Sequence, residues 1–145
     1  MPKIMKHLNS ISRMQALYRA ARVTNINGYH HPFVYAVCEA PGRAQEELAR
    51  QLCLNKSTVA RTLAQLEADG YITRRQNPDD KREYLVYPTD AMQALLPVVR
   101  GISADWNTAI AAGISDTELA TFYAVLTRME QNARTLIYNE EDTRA

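Results

Sequence analysis

The stretch AQEELARQLCLNKSTVARTLAQLEADG, residues 44–70, decides the fold of this 145-residue chain. Apolar residues at helical spacing predict a short helix from Ala44 to about Cys53 and a second helix from Lys56 to Asp69. Asn55 is a favourable N-cap for the second helix, and Gly70 suits the left-handed residue that ends it. Two short helices joined by a tight turn predict a helix-turn-helix.

The pattern changes to strands directly after this pair of helices. Residues 71–75 and 83–87 are rich in β-branched and aromatic side chains, and they flank a polar loop that contains Pro78. The sequence therefore predicts a two-stranded hairpin with a charged tip. The predicted fold is mainly α-helical with a small β-hairpin, which is a winged helix-turn-helix.

Further helices flank this unit on both sides. Helical periodicity predicts a helix from about Ile4 to Ala21, a short one from Pro32 to Glu39, and a long one that begins near Asp90. A capping-box pattern at residues 115–118 predicts the start of a last helix, with a frayed tail after Tyr138. We expect the first helix and the last two to form a dimer interface, because their apolar stripes exceed what a small winged core covers.

Composition excludes several classes of protein. Apolar residues make up 46% of the chain, but no apolar run approaches the ~20 residues that cross a bilayer. The N-terminus lacks the apolar region of a signal peptide, and only two cysteines are present. We therefore expect a cytoplasmic protein without a membrane segment. The absence of a glycine-rich phosphate loop and of a nucleophile elbow predicts no enzyme, and no cofactor or metal site is expected.

Charge is unevenly distributed along the chain. Residues 1–42 carry a net charge of +4 and residues 84–145 carry −4. The two ends are therefore complementary in charge and suited to pack together, although two solvated helix faces that never meet would carry the same charges. Residues 50–82 carry +3, which is typical of a DNA-binding face, although a solvated hairpin with internal ion pairs is the alternative. The residues expected to contact DNA are Asn55, Lys56, Ser57, Thr58, Arg61, Gln65, Arg74, Arg75, Lys81 and Arg82. Among them, we expect Arg61 to contact a base edge and Lys56 to contact phosphate.

Several ordered motifs resemble the multiple-antibiotic-resistance regulator (MarR) family. They are QEELA (45–49), LNKSTVAR (54–61), LEADGYI (66–72), NPDDKR (77–82) and LVYPT (85–89). With the flanking helices, the resemblance covers nearly the whole chain. It implies a single MarR-type domain over residues 1–145, with the winged helix-turn-helix at 30–88 and dimerisation helices at 1–26 and 89–138.

The resemblance also implies a function. Members of the family are homodimers that bind palindromic operators in double-stranded DNA, usually as repressors, and many release DNA when a small aromatic or phenolic ligand binds. It implies that Arg82 enters the minor groove and that Asp80 holds it by an ion pair. Because the two residues are two positions apart, an extended strand would point both side chains the same way.

Other assignments are weaker. Tyr18, His30, His31, Tyr35 and Trp106 are candidates for an effector pocket, although aromatic residues at helical spacing more often belong to the core. The segment HHPFVY (30–35) departs from the Thr and Gln of many family members. Two alternative functions remain: a winged-helix module that binds a protein partner without specific DNA binding, and a redox-responsive regulator that uses Cys38 or Cys53. Both cysteines occupy predicted helical, buried positions, which favours structural roles.

Overall fold

A computed structural model describes residues 3–22 and 25–144, the last five of these by their backbone alone. The chain forms two compact units that divide between Trp106 and Asn107, and each is described by itself. The first unit contains, in order, α1 (Ile4–Ala20), a 3₁₀ turn (Gly28–His30), α2 (His31–Glu39), β1 (Arg43–Ala44), α3 (Gln45–Leu52), α4 (Lys56–Ala68), β2 (Ile72–Gln76), β3 (Tyr84–Pro88) and most of α5 (Asp90–Ile110).

The helix-turn-helix prediction is confirmed, including its cap. The Asn55 side chain accepts hydrogen bonds from the Thr58 backbone N–H at 2.8 Å and from the Ser57 hydroxyl at 2.9 Å. These contacts satisfy a donor of the first turn of α4 and fix where that helix begins. The expectation for Cys53 is wrong. Cys53 is an exposed residue that ends α3 in the left-handed conformation with φ +55°, because the turn to α4 reverses the backbone there.

The sheet has three antiparallel strands in the order β1-β3-β2, rather than two. The predicted hairpin is β2 paired with β3, with Thr73 opposite Tyr87 and Arg75 opposite Leu85. The two residues of β1 add to the other edge of β3. A strand of two residues has no periodicity, so the sequence pattern did not predict it.

The core of the first unit lies between α2, α3, α4, the first part of α5 and the inner face of the sheet. Its largest fully buried apolar side chains are Phe33, Val34, Val37, Leu48, Val59, Leu63, Leu66, Ile72, Val86, Met92 and Val99. The buried residues of α4 recur at intervals of three and four, so the opposite side of this helix is left exposed. That geometry places the polar side chains of α4 on the surface.

The start of α2 is held close to α1. A Cβ atom at Gly28 would lie 2.9 Å from the Ala20 backbone nitrogen, so a larger residue does not fit. Asn27 caps the 3₁₀ turn by accepting a hydrogen bond from the Tyr29 N–H at 3.0 Å. The turn therefore fixes the position of the two histidines that follow it.

The second unit contains the end of α5 and α6 (Asp116–Arg144). The predicted capping box is confirmed, since Glu118 accepts a hydrogen bond from the Ser115 N–H at 2.9 Å and its own N–H donates to the Ser115 hydroxyl at 3.2 Å. The predicted fraying after Tyr138 is wrong, because α6 continues to Arg144. Within the described ranges, no helix has the length and apolar character needed to cross a membrane.

Candidate functional site

An open cleft of about 620 Å³ separates the start of α4 from the β2–β3 hairpin, which we call the wing. The helical side of the cleft carries residues from the starts of α3 and α4, and the other side carries residues of the wing. Its lining residues are Gln45, Glu46, Lys56, Ser57, Ala60, Asp80, Arg82, Glu83 and Tyr84. The cleft therefore brings together Lys56, Ser57 and Arg82, which the sequence predicted to contact DNA, and Asp80, which it predicted to orient the wing.

The tip of the wing holds the predicted pair of Asp80 and Arg82. The Arg82 Nε lies 3.2 Å from Asp80 Oδ1, and the Arg82 backbone N–H donates to the same oxygen at 3.0 Å. Both residues lie in the loop between β2 and β3, so the strand-edge reasoning behind this pair is wrong. A turn closed by the aspartate side chain brings them together instead. These hydrogen bonds lower the pKa of the Asp80 carboxyl, and the Arg82 side chain remains 92% exposed.

The first turns of α4 present the remaining polar groups. Lys56 lies 3.2 Å from Glu46 of α3, and both side chains are mostly exposed. Ser57 and Arg61 are exposed, Thr58 is half-buried, and Asn55 is used as the helix cap. A polyanion approaching this face would compete with Glu46 for Lys56.

Gln65 lies away from the cleft. Its side-chain amide donates to both carboxylate oxygens of Asp69 at 3.0 Å. These two residues line a separate open groove of about 660 Å³ beside the turn that precedes α2. Gln65 is thus a predicted DNA contact that lines this groove and not the cleft.

The two neighbouring arginines of β2 have different environments. The Arg74 side chain is 23% exposed and pairs with Glu67 near the end of α4, with 3.1 Å between Nη2 and Oε1. This hydrogen bond lowers the pKa of the Glu67 carboxyl. Arg75 is exposed, and its guanidinium lies 4.6 Å from the centre of the Tyr87 ring. Because side chains alternate along a strand, Arg74 and Arg75 belong to opposite faces of the sheet.

Several residues at the cleft were not predicted from the sequence. Tyr84 is 46% exposed and faces Gln76 across the hairpin, and Gln45 and Glu46 begin α3. Lys81 is exposed at the tip, and its backbone carbonyl accepts a hydrogen bond from the Gln76 side chain at 2.6 Å. Tyr84 precedes the apolar part of its strand, and that position was a signal that it lies at the loop end of the hairpin.

Most of the residues predicted to form an effector pocket pack against other parts of the first unit. The rings of Tyr18 and Trp106 lie 5.2 Å apart. The Tyr35 hydroxyl donates to the Val99 carbonyl at 3.1 Å and contacts the Ser103 hydroxyl at 2.9 Å. His30 is half-buried, and its ring meets the Phe33 ring edge-on at 6.3 Å. These contacts give Tyr18, Tyr35 and Trp106 a part in joining α1 and α2 to α5.

His31 differs from the other four predicted pocket residues in its burial and its lack of hydrogen bonds. It is fully buried, and neither of its ring nitrogens has a hydrogen-bond partner among the described residues. Burial lowers its pKa to about 4, and the nearby positive charge of Arg19 acts in the same direction. The Nε atom of Arg19 is likewise buried and unpartnered within the described part of the chain. Three polar nitrogens of α1 and α2 thus lack partners in one region of the fold, which is uncommon in folded proteins.

The thiols and histidines form no metal site that the structure reveals. Across residues 3–22 and 25–139, no group of three His, Cys, Asp or Glu side chains is placed to hold a metal ion. Cys38 is half-buried and Cys53 is exposed, and neither forms a disulfide. Burial raises the pKa of the Cys38 thiol.

Comparison with known proteins agrees with this architecture. Residues 37–84 match the model of the MarR family. The chain is 33% identical over 72 residues to the HTH-type transcriptional regulator BilQ of Clostridioides difficile, a stretch that spans 50% of this chain and 49% of BilQ. It is 26% identical over 100 residues to the uncharacterized HTH-type transcriptional regulator YybA of Bacillus subtilis, spanning 69% of this chain and 67% of YybA.

The fold extends the likeness over nearly the whole chain. A Listeria monocytogenes structure described as a putative MarR family regulator complexed with a 26mer DNA superposes with a TM-score of 0.88 at 23% identity, covering 97% of this chain and 96% of that one. The fold is thus a winged helix-turn-helix with flanking helices. Residues 37–84 therefore resemble the MarR family, and the two matched relatives are named as HTH-type transcriptional regulators.

Proposed function

We propose that this protein is a cytoplasmic transcriptional regulator that binds double-stranded DNA as a homodimer. The observation that carries the proposal is the cleft between α4 and the wing, where Lys56, Ser57 and Arg82 face one open space. The width of a major groove admits one helix, and an exposed arginine beside it reaches the neighbouring minor groove. The structure of the Listeria relative with a 26mer DNA supports this assignment.

Within the interface, Arg61 contacts a base edge and Lys56 contacts phosphate. Arg61 lies just over one turn into α4 with its side chain exposed, whereas Lys56 is the first residue of the helix. Lysine is a flexible point charge, and the arginine fork suits the two acceptors of guanine.

The experiment compares Arg61→Ala with Lys56→Ala on duplexes that the wild-type protein selects from a random pool. Arg61→Ala should weaken binding by about 1–3 kcal/mol and relax the preference at one position in each half-site. Lys56→Ala should weaken all sequences alike. Equal effects of both substitutions on sequence preference would contradict this assignment.

A homodimer would give the site two-fold symmetry and a palindromic operator. α1 buries only Ala16 among its described residues, and it exposes Met5, Met14 and Leu17. Considered by itself, α6 exposes a second apolar set, which is Phe122, Tyr123, Val125, Leu136 and Ile137. Exposed apolar areas of this kind are typical of interaction surfaces.

We further propose that the protein is a repressor released by a small aromatic or phenolic effector. The unpartnered nitrogens of His31 and Arg19 support this proposal, because a phenolic or carboxylate oxygen would satisfy them. A Streptomyces coelicolor relative of known structure, PcaV, is described in complex with its natural ligand, at 20% identity and a TM-score of 0.77. If the proposal holds, 4-hydroxybenzoate or benzoate should release wild-type protein from DNA, and His31→Leu should be insensitive to the same compounds.

The second candidate function is a winged-helix module that binds a protein. The apolar exposure of α1 is the observation in its favour. Salt distinguishes the two candidates, since DNA binding that neutralises several phosphates weakens steeply with salt and an apolar protein contact does not.

A further inference from the structure

Arg74 lies where three elements of the DNA-binding unit meet. Glu67, near the end of α4, accepts two hydrogen bonds from it: the Arg74 backbone N–H donates to Oε2 at 3.1 Å and Nη2 donates to Oε1 at 3.1 Å. One carboxylate thus holds both the backbone and the side chain of β2. Charge-assisted bonds of this kind are about twice as strong as neutral ones.

The same guanidinium contacts the other two elements. Its Nη1 donates to the side-chain oxygen of Gln45, the first residue of α3, at 3.5 Å, and its central carbon lies 5.7 Å from the centre of the Tyr84 ring of β3. Its Nε is buried and has no partner among the described residues. At 23% exposure, the side chain is held among α4, α3 and β3 and has little surface left for a phosphate.

We infer that Arg74 is a positioning residue, which with Glu67 forms a clamp that fixes the wing relative to α4. This inference rests on the proposed DNA binding and corrects the expectation that Arg74 itself contacts DNA. The clamp holds the middle of β2, where Arg74 pairs with Val86, while Arg82 lies in the loop at the tip of the hairpin. A small rotation of the hairpin at this point displaces the tip further, so the clamp sets the spacing between the helix in the major groove and the arginine in the minor groove.

Because Glu67 is negatively charged, simple electrostatics and the clamp predict opposite changes in DNA affinity when it is replaced. Replacing Glu67 by Gln removes a negative charge close to the DNA-binding face, so electrostatics alone predicts tighter DNA binding. The clamp predicts weaker binding, because the charge-assisted bonds to Arg74 are lost. We expect Glu67→Gln to weaken binding about 10-fold, which corresponds to about 1.4 kcal/mol.

Arg74→Met should weaken binding to a similar degree without changing the slope of log K against log salt. Arg82→Ala should lower that slope by about one, because it removes a minor-groove cation that displaces a counterion. Arg75→Met is the charge-matched comparison: it removes the same charge from the exposed face of the same strand, so it should lower the slope as expected for a DNA contact. The double variant of Glu67→Gln and Arg74→Met should cost no more than either single change, because the two residues act as one unit.

A DNA-free measurement separates this inference from the proposed function. In the protein alone, hydrogen exchange of the wing amides should be at least 10-fold faster in Glu67→Ala than in the wild type, with the thermal melting of the whole protein recorded alongside. Arg74→Lys, which keeps the charge and loses the fork, should show the same weak DNA binding as Arg74→Met and serves as the second variant if Arg74→Met does not fold. Unchanged exchange in the wing, or tighter DNA binding by Glu67→Gln, would overturn the clamp. A wild-type protein that binds no duplex would overturn the proposed function and leave the exchange result standing.

Discussion

At the scale of single residues, His31 links the stability of the protein to pH. Burial holds its folded-state pKa at about 4, below the value of about 6.5 in an unfolded chain. The unfolded state therefore binds a proton that the folded state excludes, so this contribution is complete above pH 6.5 and is lost as the pH falls towards 4. Between pH 7.5 and pH 5 we expect a loss of about 2 kcal/mol, measured by urea unfolding.

The substitution His31→Leu tests the same idea. The imidazole has no hydrogen-bond partner to lose among the described residues, so an apolar side chain of similar size should leave the free energy of unfolding at pH 7 unchanged or raise it. The variant should also lose the pH dependence described for the wild type. If it unfolds with the full pH dependence of the wild type, another group is responsible.

Arg82 is the residue whose substitution should alter the preference for DNA flanking sequences. Because the Arg82 side chain is 92% exposed and is tethered to Asp80, the guanidinium is ordered and available before DNA arrives. Arg82→Ala should weaken binding strongly and remove the preference for A·T flanks, whose narrow minor groove attracts arginine. Asp80→Ala should weaken binding less. The comparison is made by titrating duplexes with A·T or G·C flanks, and an Arg82→Lys variant that behaves like the wild type on both would leave only a phosphate contact.

At the scale of elements, the contact between α1 and the 3₁₀ turn depends on a glycine. A Cβ atom at Gly28 would meet the Ala20 backbone nitrogen at 2.9 Å, whereas none of the described atoms lies within 4 Å of a Cβ built at Gly101 in α5. Gly28→Ala should therefore destabilise the protein, because backbone must move. Gly101→Ala should stabilise it by about 0.5–1 kcal/mol, through helix propensity. Thermal unfolding of both variants would show shifts of opposite sign, and shifts of the same sign would contradict the structure.

The sequence predicted well those elements that are long enough to show a periodic pattern of apolar residues. α4 and its Asn55 cap, the capping box at Ser115, and the hairpin all carry local signals that the structure bears out. β1 and the left-handed Cys53 were missed, because each depends on tertiary geometry at one or two residues. The same limit applies to the site. The alternation of side chains along β2 predicts that Arg74 and Arg75 lie on opposite faces of the sheet, but only the position of Glu67 reveals that Arg74 is the one that faces inward.

At the scale of the whole molecule, the apolar exposure of the terminal helices predicts association. Leu17 of α1 is 69% exposed and Leu136 of α6 is 62% exposed. We expect sedimentation to give a dimer at micromolar concentration. Leu17→Glu and Leu136→Glu should shift it towards the monomer, because each would bury a charge in the interface. Arg128→Glu, a charge change on an exposed position of α6, is the control. A folded wild-type monomer at these concentrations would contradict the dimer.

The turn between α3 and α4 also makes the native protein a convenient subject for spectroscopy. The two thiols of the protein differ in reactivity. Cys53, in this turn, is exposed, while Cys38 of α2 is half-buried and has a raised pKa that slows its reaction. A maleimide dye at neutral pH should attach first to Cys53, without any engineered cysteine. The dye would then sit two residues before Asn55, at the point where α4 begins. Fluorescence from that single label would report the arrival of a binding partner at the helix-turn-helix in real time.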